Sequence, residues 1–213
     1  MLYDISPPLS PRLRVWPGDI PLTREVLSEI GKPPVGSKIV STITLSTLRA
    51  TVHLGAHADA PSHYGTGAPA IDARGLEYYL GPCQVIRTPV PRGSVVTPEA
   101  IRAPITAPRV LLDTGTHPDP ELFPEDFAAL APGLVAWLHR QGVRLVGIDT
   151  PSVDPFPSKD LPAHKAFLRH DMAILEGLVL KDVPEGTYEL IALPLRLVGF
   201  DASPVRAVLR ALP

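Results

Sequence analysis

Ligand-type side chains are concentrated in one short segment of the chain, His53-Leu54-Gly55-Ala56-His57-Ala58-Asp59-Ala60-Pro61-Ser62-His63. Its three histidines and its aspartate all occupy odd-numbered positions, and alternate side chains of an extended strand point to the same face. A helix would also place His53 and His57 on one face, but Gly55 and Pro61 interrupt it. The spacing therefore predicts a strand that brings three imidazoles and one carboxylate together.

Imidazole nitrogens and a carboxylate on one face suit a borderline divalent cation, zinc first. Surface or core histidines brought together by chance are the plain alternative, and four ligand-type residues in phase argue against it. A structural zinc site is a third interpretation. Such sites are usually closed and rich in cysteine, whereas the only cysteine, Cys83, lies outside the segment. The pattern therefore favours an open catalytic site.

A second group of candidates follows in the region 163–173, a predicted helix that carries His164 and His170. Glu176 lies in the apolar run 172–180, where a buried carboxylate is costly unless it is paired or bound to a metal. Glu176 is therefore a candidate ligand, and a solvent-facing glutamate on an amphipathic turn is the alternative. On one continuous helix His164 and Glu176 would be about 120° out of phase. Either the helix ends between them or one of them is not a ligand.

Composition limits the classes of function. The 213 residues, 45% hydrophobic and 20% charged, are expected to form one globular domain with a real core. A net charge of −2 without a dense Lys/Arg patch argues against nucleic-acid and membrane-surface partners. A single cysteine excludes an internal disulfide and suits a reducing compartment. With no signal-peptide pattern and no apolar run of about 18 residues, a cytoplasmic location is expected.

Apolar patterning and turn residues predict the elements that must position these side chains. Strands are expected over residues 2–5, 37–48, 84–90 (at a sheet edge, because of its prolines), 109–113, 143–148 and 189–193. Helices are expected over residues 124–130, 132–141 and 163–173, with a further helix starting at 97–99. The tail, residues 203–212, fits either a helix or a strand. Most of the 27 prolines are expected to fix loops.

Two further residues have open roles. Trp16 precedes Pro17, which favours extended backbone, and in its polar loop it is either a lid over a ligand or a partly buried anchor. Asp149 follows the predicted strand 143–148. It is expected to cap the turn there, with the orientation of a site histidine as the alternative.

The motif His53-x-Gly55-x-His57-x-Asp59-x-Pro61-x-His63 resembles that of the metal-dependent cyclase family, and within it the arylformamidase branch. Blocks along nearly the whole chain extend the resemblance: Tyr3-Asp4-Ile5-Ser6, Val15-Trp16-Pro17-Gly18-Asp19, Gly147-Ile148-Asp149-Thr150-Pro151-Ser152, Met172-Ala173-Ile174-Leu175-Glu176-Gly177-Leu178 and Asp201-Ala202-Ser203-Pro204-Val205-Arg206. Ala56 departs from the family, which usually has threonine there. That position is not a ligand.

The resemblance implies a mixed α/β fold of the swivelling β/β/α type, a single domain over residues 1–213, a strand in the tail and a homodimer. It also implies a site with two zinc ions. His53 and His57 match ligands of the first metal, and His164 matches a ligand of the second. Asp59 and Glu176 match the bridging carboxylates. Two further roles are implied, His63 as general acid/base and Trp16 as a substrate contact.

The activity implied by the resemblance is hydrolysis of the formamide bond of N-formyl-L-kynurenine to L-kynurenine and formate, a step of tryptophan degradation. A bound metal that lowers the pKa of water and holds a developing oxyanion suits so poor an electrophile. Two alternatives remain. The same site could act on a cyclic amide such as isatin, a lactone or an ester, or the protein could bind metal without catalysis.

Overall fold

A curled, nine-stranded mixed sheet forms the centre of the computed structural model, which describes residues 1–212. The strand order is β1-β13-β11-β5-β7-β9-β10-β4-β12. These strands are β1 (Leu2–Asp4), β4 (His57–Asp59), β5 (Leu80–Arg87), β7 (Arg109–Asp113), β9 (Leu145–Ile148), β10 (Ala173–Glu176), β11 (Gly186–Ile191), β12 (Ala202–Pro204) and β13 (Val208–Ala211). This mixed α/β architecture confirms the predicted fold class.

The middle of the sheet is parallel and buried on both faces. Strands β5, β7, β9 and β10 run parallel to one another, and β4 and β12 continue the sheet in antiparallel pairs. All four residues of β9 and all four of β10 are buried. Burial on both faces explains why the sequence of these strands is almost continuously apolar instead of alternating.

Three α-helices accompany the sheet: α1 (Pro61–Tyr64), α2 (Pro132–Arg140) and α3 (Pro162–His170). Each begins with a proline at its first turn, where the missing N–H costs no hydrogen bond. The helices α2 and α3 pack against each other and bury Leu134, Leu138 and Phe167 in one core. The strands β7, β9 and β10 supply the sheet side of that core.

A hairpin projects from this body. It consists of β2 (Thr23–Ser28) and β3 (Leu45–Arg49), which pair antiparallel and belong to a separate sheet. We call residues 23–49 the arm. Every residue of β3 is exposed, and so are five residues of β2. The arm therefore makes little contact with the core. A third, small sheet pairs β6 (Val95–Val96) with β8 (Ala129–Leu130).

Several sequence predictions are confirmed. The strands at residues 2–5, 109–113, 143–148 and 189–193 and the helices at 132–141 and 163–173 are present with small shifts of their ends. The tail, which fitted both a helix and a strand, forms β12 and β13. Among the described residues, none of the helices has the length and apolarity needed to cross a bilayer.

Other predictions are wrong. Residues 124–130 form no helix and contain only β8. The predicted edge strand 84–90 is β5 inside the sheet, and Pro89 and Pro91 lie beyond its end. The predicted helix start at 97–99 yields a single 3-10 turn, Pro98–Ala100. The predicted strand 37–48 begins only at Leu45, because Ser41 bonds the local backbone through its hydroxyl and diverts the chain from a ladder.

Candidate metal centre

Two neighbouring strands supply three of the predicted ligands. His57 and Asp59 lie on β4, and Glu176 on β10 pairs directly with His57. Residues that face each other across an antiparallel pair project to the same side of the sheet, and Asp59 is two residues along on that same side. The register of β4 against β10 therefore brings an imidazole and two carboxylates together in a buried position.

The extended segment is shorter than predicted. Only His57–Asp59 is a strand, because Gly55 has φ +59° and turns the chain just before it. His53 reaches the site from the far side of that turn, with Nδ1 at 3.1 Å from Asp59 Oδ1. The His57 Nδ1–H group donates to the carbonyl of Gly55 at 2.9 Å, which leaves Nε2 facing the carboxylates.

His164 comes from the first turn of α3, which ends at His170 before β10 begins. This break resolves the phase conflict with Glu176. Asp154 holds His164 in place: its carboxylate accepts a hydrogen bond from His164 Nδ1–H at 2.7 Å and others from the N–H groups of Ala163 and His164. The same side chain thus caps the helix and fixes the ring, a common support for metal-binding histidines.

The two buried carboxylates have histidines on both sides. Asp59 Oδ1 lies 3.4 Å from His57 Nε2, and Asp59 Oδ2 lies 3.2 Å from His164 Nε2. Glu176 repeats the arrangement, with Oε2 at 3.3 Å from His57 Nε2 and Oε1 at 3.6 Å from His164 Nε2. Each carboxylate therefore has one oxygen near His57 and the other near His164, as a pair of bridging ligands would.

Two atoms in the middle of this cluster lack a protein partner. His57 Nε2 and Asp59 Oδ1 are buried and make no hydrogen bond with any described residue. Buried polar atoms without partners are rare and costly in folded proteins. A nitrogen lone pair and a carboxylate oxygen that face the same buried space fit a divalent cation, and so the residues present suit a metal.

The electrostatics agree with this assignment. Burial by itself lowers the pKa of His57, but the neighbouring carboxylates of Asp59 and Glu176 outweigh it and raise the pKa to about 10. Burial likewise opposes the ionisation of Asp59, yet the neighbouring imidazoles of His164, His53 and His57 hold its pKa well below the usual range. The cluster therefore favours positive charge, which protons or metal ions can supply.

His63 lies at the edge of the cluster and is not part of a strand. It sits on α1, where its ring centroid is 4.3 Å from that of His53 and 5.9 Å from that of His164. Asp201 contacts the imidazoles of His53 and His63. Its Oδ2 accepts a hydrogen bond from His53 Nε2–H at 3.0 Å and lies 3.5 Å from His63 Nδ1. His63 is partly open to the cavity, unlike the buried His57.

A cavity of about 460 Å³ opens onto the cluster. Trp16 lines it together with Phe123. The indole ring packs against three phenylalanines, with centroids 4.9 Å from Phe156, 5.5 Å from Phe123 and 6.3 Å from Phe127. Trp16 is therefore anchored by other aromatic rings and also forms part of the cavity wall, while its role as a lid over a ligand stays a prediction.

The two ligand segments touch through glycines behind the site. Gly177 follows Glu176 and has φ +65°, and Gly55 lies between His53 and His57. A Cβ atom on Gly177 would collide with the backbone carbonyl of Gly55. Glycine is therefore required for this approach, both for its backbone conformation and for the space.

Two other candidates lie outside the cluster. Asp149 accepts hydrogen bonds from the N–H and hydroxyl of Thr114 and from the N–H of Gly115, so its carboxylate fixes a turn. Burial is the main cause that raises its pKa to about 6. His170 lies at the far end of α3, where it stacks on His139.

Sequence reasoning missed Asp154, Asp201 and His117, which also lines the cavity. Asp201 stood in one of the resemblance blocks, and that was its only signal. Asp154 lies in a proline-rich loop without periodicity, where the sequence does not indicate which way a side chain points.

Comparison with known proteins identifies the family. A family model described as "Putative cyclase" matches residues 3–155 of this chain. The chain belongs to the cyclase family. This confirms the resemblance drawn from the histidine motif. Curated relatives of this cyclase-family chain include the kynurenine formamidases of Bordetella petrii and Bordetella pertussis, which are 47% and 50% identical to it. Each alignment covers 99% of this chain and 98% of the relative.

Solved structures of the cyclase fold superpose along the whole chain. A structure described as a potential metal-dependent hydrolase with cyclase activity matches with a TM-score of 0.82 and 29% identity, over 100% of this chain and 99% of that one. Isatin hydrolase A from Ralstonia solanacearum matches with a TM-score of 0.79 over 98% and 91% of the two chains. At 21% identity this second likeness concerns the fold alone.

Proposed function

We propose that this protein hydrolyses the formamide bond of N-formyl-L-kynurenine and releases L-kynurenine and formate. One observation carries the proposal: a single cavity joins the histidine–carboxylate cluster to an aromatic wall. Identity of 47–50% to curated kynurenine formamidases over almost their full length supports the choice of substrate.

In this proposal the cluster holds two divalent cations, most simply zinc. His53 and His57 would hold the first, His164 would hold the second, and Asp59 and Glu176 would be shared between them. Such a pair would supply Lewis acidity and an acidified water. The protein's part is to fix the ligand geometry. Asp154, the carbonyl of Gly55 and Asp201 do so by holding the other ring nitrogen of His164, His57 and His53.

His63 is the proposed general acid/base. Hydrolysis adds water to the formyl carbon and breaks its bond to the aryl nitrogen, and that nitrogen must gain a proton to leave as an amine. His63 lines the cavity beside the cluster. The carboxylate closest to it is that of Asp201, whose Oδ2 lies 3.5 Å from His63 Nδ1. Its imidazole is thus placed to give a proton to the leaving amine.

Trp16 and its neighbours are proposed to bind the aryl ring of the substrate. The indole is fixed by Phe123, Phe127 and Phe156 and faces the cavity. Aromatic side chains pack favourably on other aromatic rings in offset or edge-to-face arrangements. Because the wall is already ordered by its own contacts, little side-chain entropy is lost when the ring binds.

The test combines metal analysis with an N-formyl-L-kynurenine hydrolysis assay on the purified protein. We expect about two divalent ions per chain, loss of activity with a strong chelator, and recovery on addition of zinc. Isatin serves as the comparison substrate and is expected to react much more slowly. Full activity in metal-free protein would disprove the metal mechanism, and preferential turnover of isatin would disprove the substrate.

We also propose that the protein is a cytoplasmic homodimer. The buried free thiol of Cys83 suits a reducing compartment. Large apolar side chains are exposed along the arm, among them Ile39 at 80% and Ile43 at 59%. An exposed apolar surface of this kind marks a protein contact, and a second copy of the chain is the occupant that the proposal assigns to it.

Light scattering coupled to size exclusion tests the dimer. The wild type is expected at twice the chain mass of 22.9 kDa, and the double variant Ile39→Ser, Ile43→Ser at the mass of one chain. Val198→Ser removes an equally exposed apolar side chain outside the arm and serves as the control. A monomeric wild type would refute the proposal, and so would a dimer unaffected by the arm variant.

A further inference from the structure

Arg14 differs from the other charged side chains that line the cavity. Asp19, Asp201 and Glu176 each accept a hydrogen bond from a neighbouring residue. The Arg14 guanidinium, by contrast, makes no hydrogen bond or ion pair with any residue in the described range 1–212, and no other lysine or arginine there lines the cavity. The cavity therefore presents one positive charge that the protein itself does not neutralise.

The backbone around Arg14 is fixed. Its N–H group donates to the carbonyl of Pro120 at 3.1 Å. In the segment that follows, the Asp19 N–H group donates to the Trp16 carbonyl at 2.9 Å. This bond closes a four-residue turn in which Pro17 is the second residue and Gly18, at φ +102°, is the third. Proline and a positive-φ glycine at these positions are typical of a type II turn. The guanidinium thus extends from an ordered loop.

Arg14 and Trp16 serve the same cavity from neighbouring positions. Proline after Trp16 favours extended backbone there, and residues two apart in extended backbone lie on the same side, roughly 7 Å from each other. Val15, between them, lines the same cavity and packs against the apolar cluster that contains Leu13 and Leu54. The loop therefore offers an aromatic surface and, beside it, a cation.

We propose that Arg14 binds the α-carboxylate of an aromatic amino-acid substrate and so selects amino-acid formamides over neutral aryl formamides. This inference rests on the proposed function. The α-carboxylate of N-formyl-L-kynurenine lies a few bonds beyond its ring, so that a ring packed on Trp16 brings it toward Arg14. Guanidinium and carboxylate form paired, charge-assisted hydrogen bonds.

The test compares two substrates that share the reacting formamide. One is N-formyl-L-kynurenine, and the other is 2′-formamidoacetophenone, which has the same ring and ketone but no amino-acid group. For Arg14→Gln we expect kcat/KM on the first substrate to fall roughly 10- to 100-fold, chiefly through KM, with a far smaller change on the second. Arg14→Lys is expected to be intermediate, because it keeps the charge but loses the planar fork.

Arg12→Gln is the matched control. It removes the same charge two residues earlier, from a side chain that pairs with Glu121 at 2.7 Å on the surface. No substrate-selective effect is expected from it. If Arg14→Gln lowers turnover of both substrates equally, or of neither, the inference is wrong.

Ligand binding separates this inference from the proposed function. Calorimetry with L-kynurenine and with 2-aminoacetophenone requires no turnover. We expect Arg14→Gln to weaken binding of L-kynurenine selectively. Equal binding of L-kynurenine to wild type and variant would overturn the role of Arg14. A wild type that binds L-kynurenine through Arg14 but fails to hydrolyse its N-formyl derivative would overturn the function alone.

Discussion

Two regions of the molecule bring histidine rings equally close, yet only one resembles a metal centre. The ring centroids of His53 and His57 lie 5.0 Å apart, and those of His139 and His170, at the ends of α2 and α3, lie 4.5 Å apart. The first pair faces the buried carboxylate of Asp59. The second pair lies near Arg140 and Arg169. Proximity of imidazoles is therefore not what makes a cation site.

The pKa values of the two regions diverge for the same reason. Carboxylates overcome the effect of burial and raise the pKa of His57 to about 10. In the second region desolvation, then His139 and then the charges of Arg169 and Arg140 lower the pKa of His170. A cation is stabilised where buried carboxylates carry more negative charge than neighbouring cationic side chains neutralise. It is repelled where several positively charged side chains lie close together. The following predictions test this contrast.

The largest effect is expected for His57→Ala. Removal of this imidazole leaves Asp59 and Glu176 facing a gap on one side of the cluster. We expect loss of bound metal and of formamidase activity together. Metal stoichiometry by mass spectrometry, measured beside kcat, checks this. Retention of the wild-type metal content would contradict the assignment of His57 as a ligand.

His63→Ala should separate catalysis from metal binding. Because His63 lies at the cavity edge, where its Nδ1 is 3.5 Å from Asp201 Oδ2, we expect the metal content and the fold to be preserved. The kcat should fall roughly 10²- to 10⁴-fold, the usual contribution of a positioned acid or base. Near-full activity would mean that the leaving amine takes its proton from another group.

Asp149 extends the contrast to a buried carboxylate whose side chain is held by Thr114 and Gly115. Burial raises its pKa to about 6, whereas an unfolded-state carboxyl titrates near 3.9. Between these values the native state binds a proton that the unfolded state has lost. The resulting stabilisation is complete below about pH 4 and disappears as the pH rises through about 6. It amounts to about 3 kcal/mol at 1.36 kcal/mol per pKa unit.

Urea unfolding of wild type and Asp149→Asn, both with chelator present, measures this contribution. The free energy of unfolding of the wild type relative to the variant should decrease by about 3 kcal/mol between pH 3 and pH 8. A difference that stays constant across this range would show that Asp149 does not titrate as described.

The smallest effect is expected in the second histidine region. His139→Ala and His170→Ala should leave metal content and kcat unchanged, because neither ring faces a buried carboxylate. Metal analysis of the double variant is the check, and loss of one bound ion per chain would show that two stacked histidines suffice to bind it.

The sequence predicted the members of the cluster better than the backbone that carries them. The odd-numbered spacing correctly brought His53, His57, Asp59 and His63 together, but only His57–Asp59 is extended. His53 arrives through the turn at Gly55, and His63 arrives on α1. The spacing of side chains along the sequence can indicate that they converge. It does not reveal at which short element the chain changes direction to bring them together.

Residues positioned by distant contacts were beyond sequence reasoning. Asp154 and Asp201 lie in irregular segments, and their orientation depends on His164 and His53, which are remote in sequence. The arm misled the strand prediction for a related reason. Alternation at 37–48 normally indicates a buried face, whereas here the alternating residues are exposed.

The contact between Gly55 and Gly177 limits how the centre can be redesigned. A Cβ atom at Gly177 would collide with the backbone of Gly55, whereas one at Gly55 would meet only the side chains of Leu9, Pro7 and Leu13. Directed evolution that randomises both positions is therefore expected to retain glycine most strictly at position 177. Variation in metal preference is therefore more accessible through Asp154 and Asp201, whose substitution alters the rings they hold without separating the two strands of the sheet.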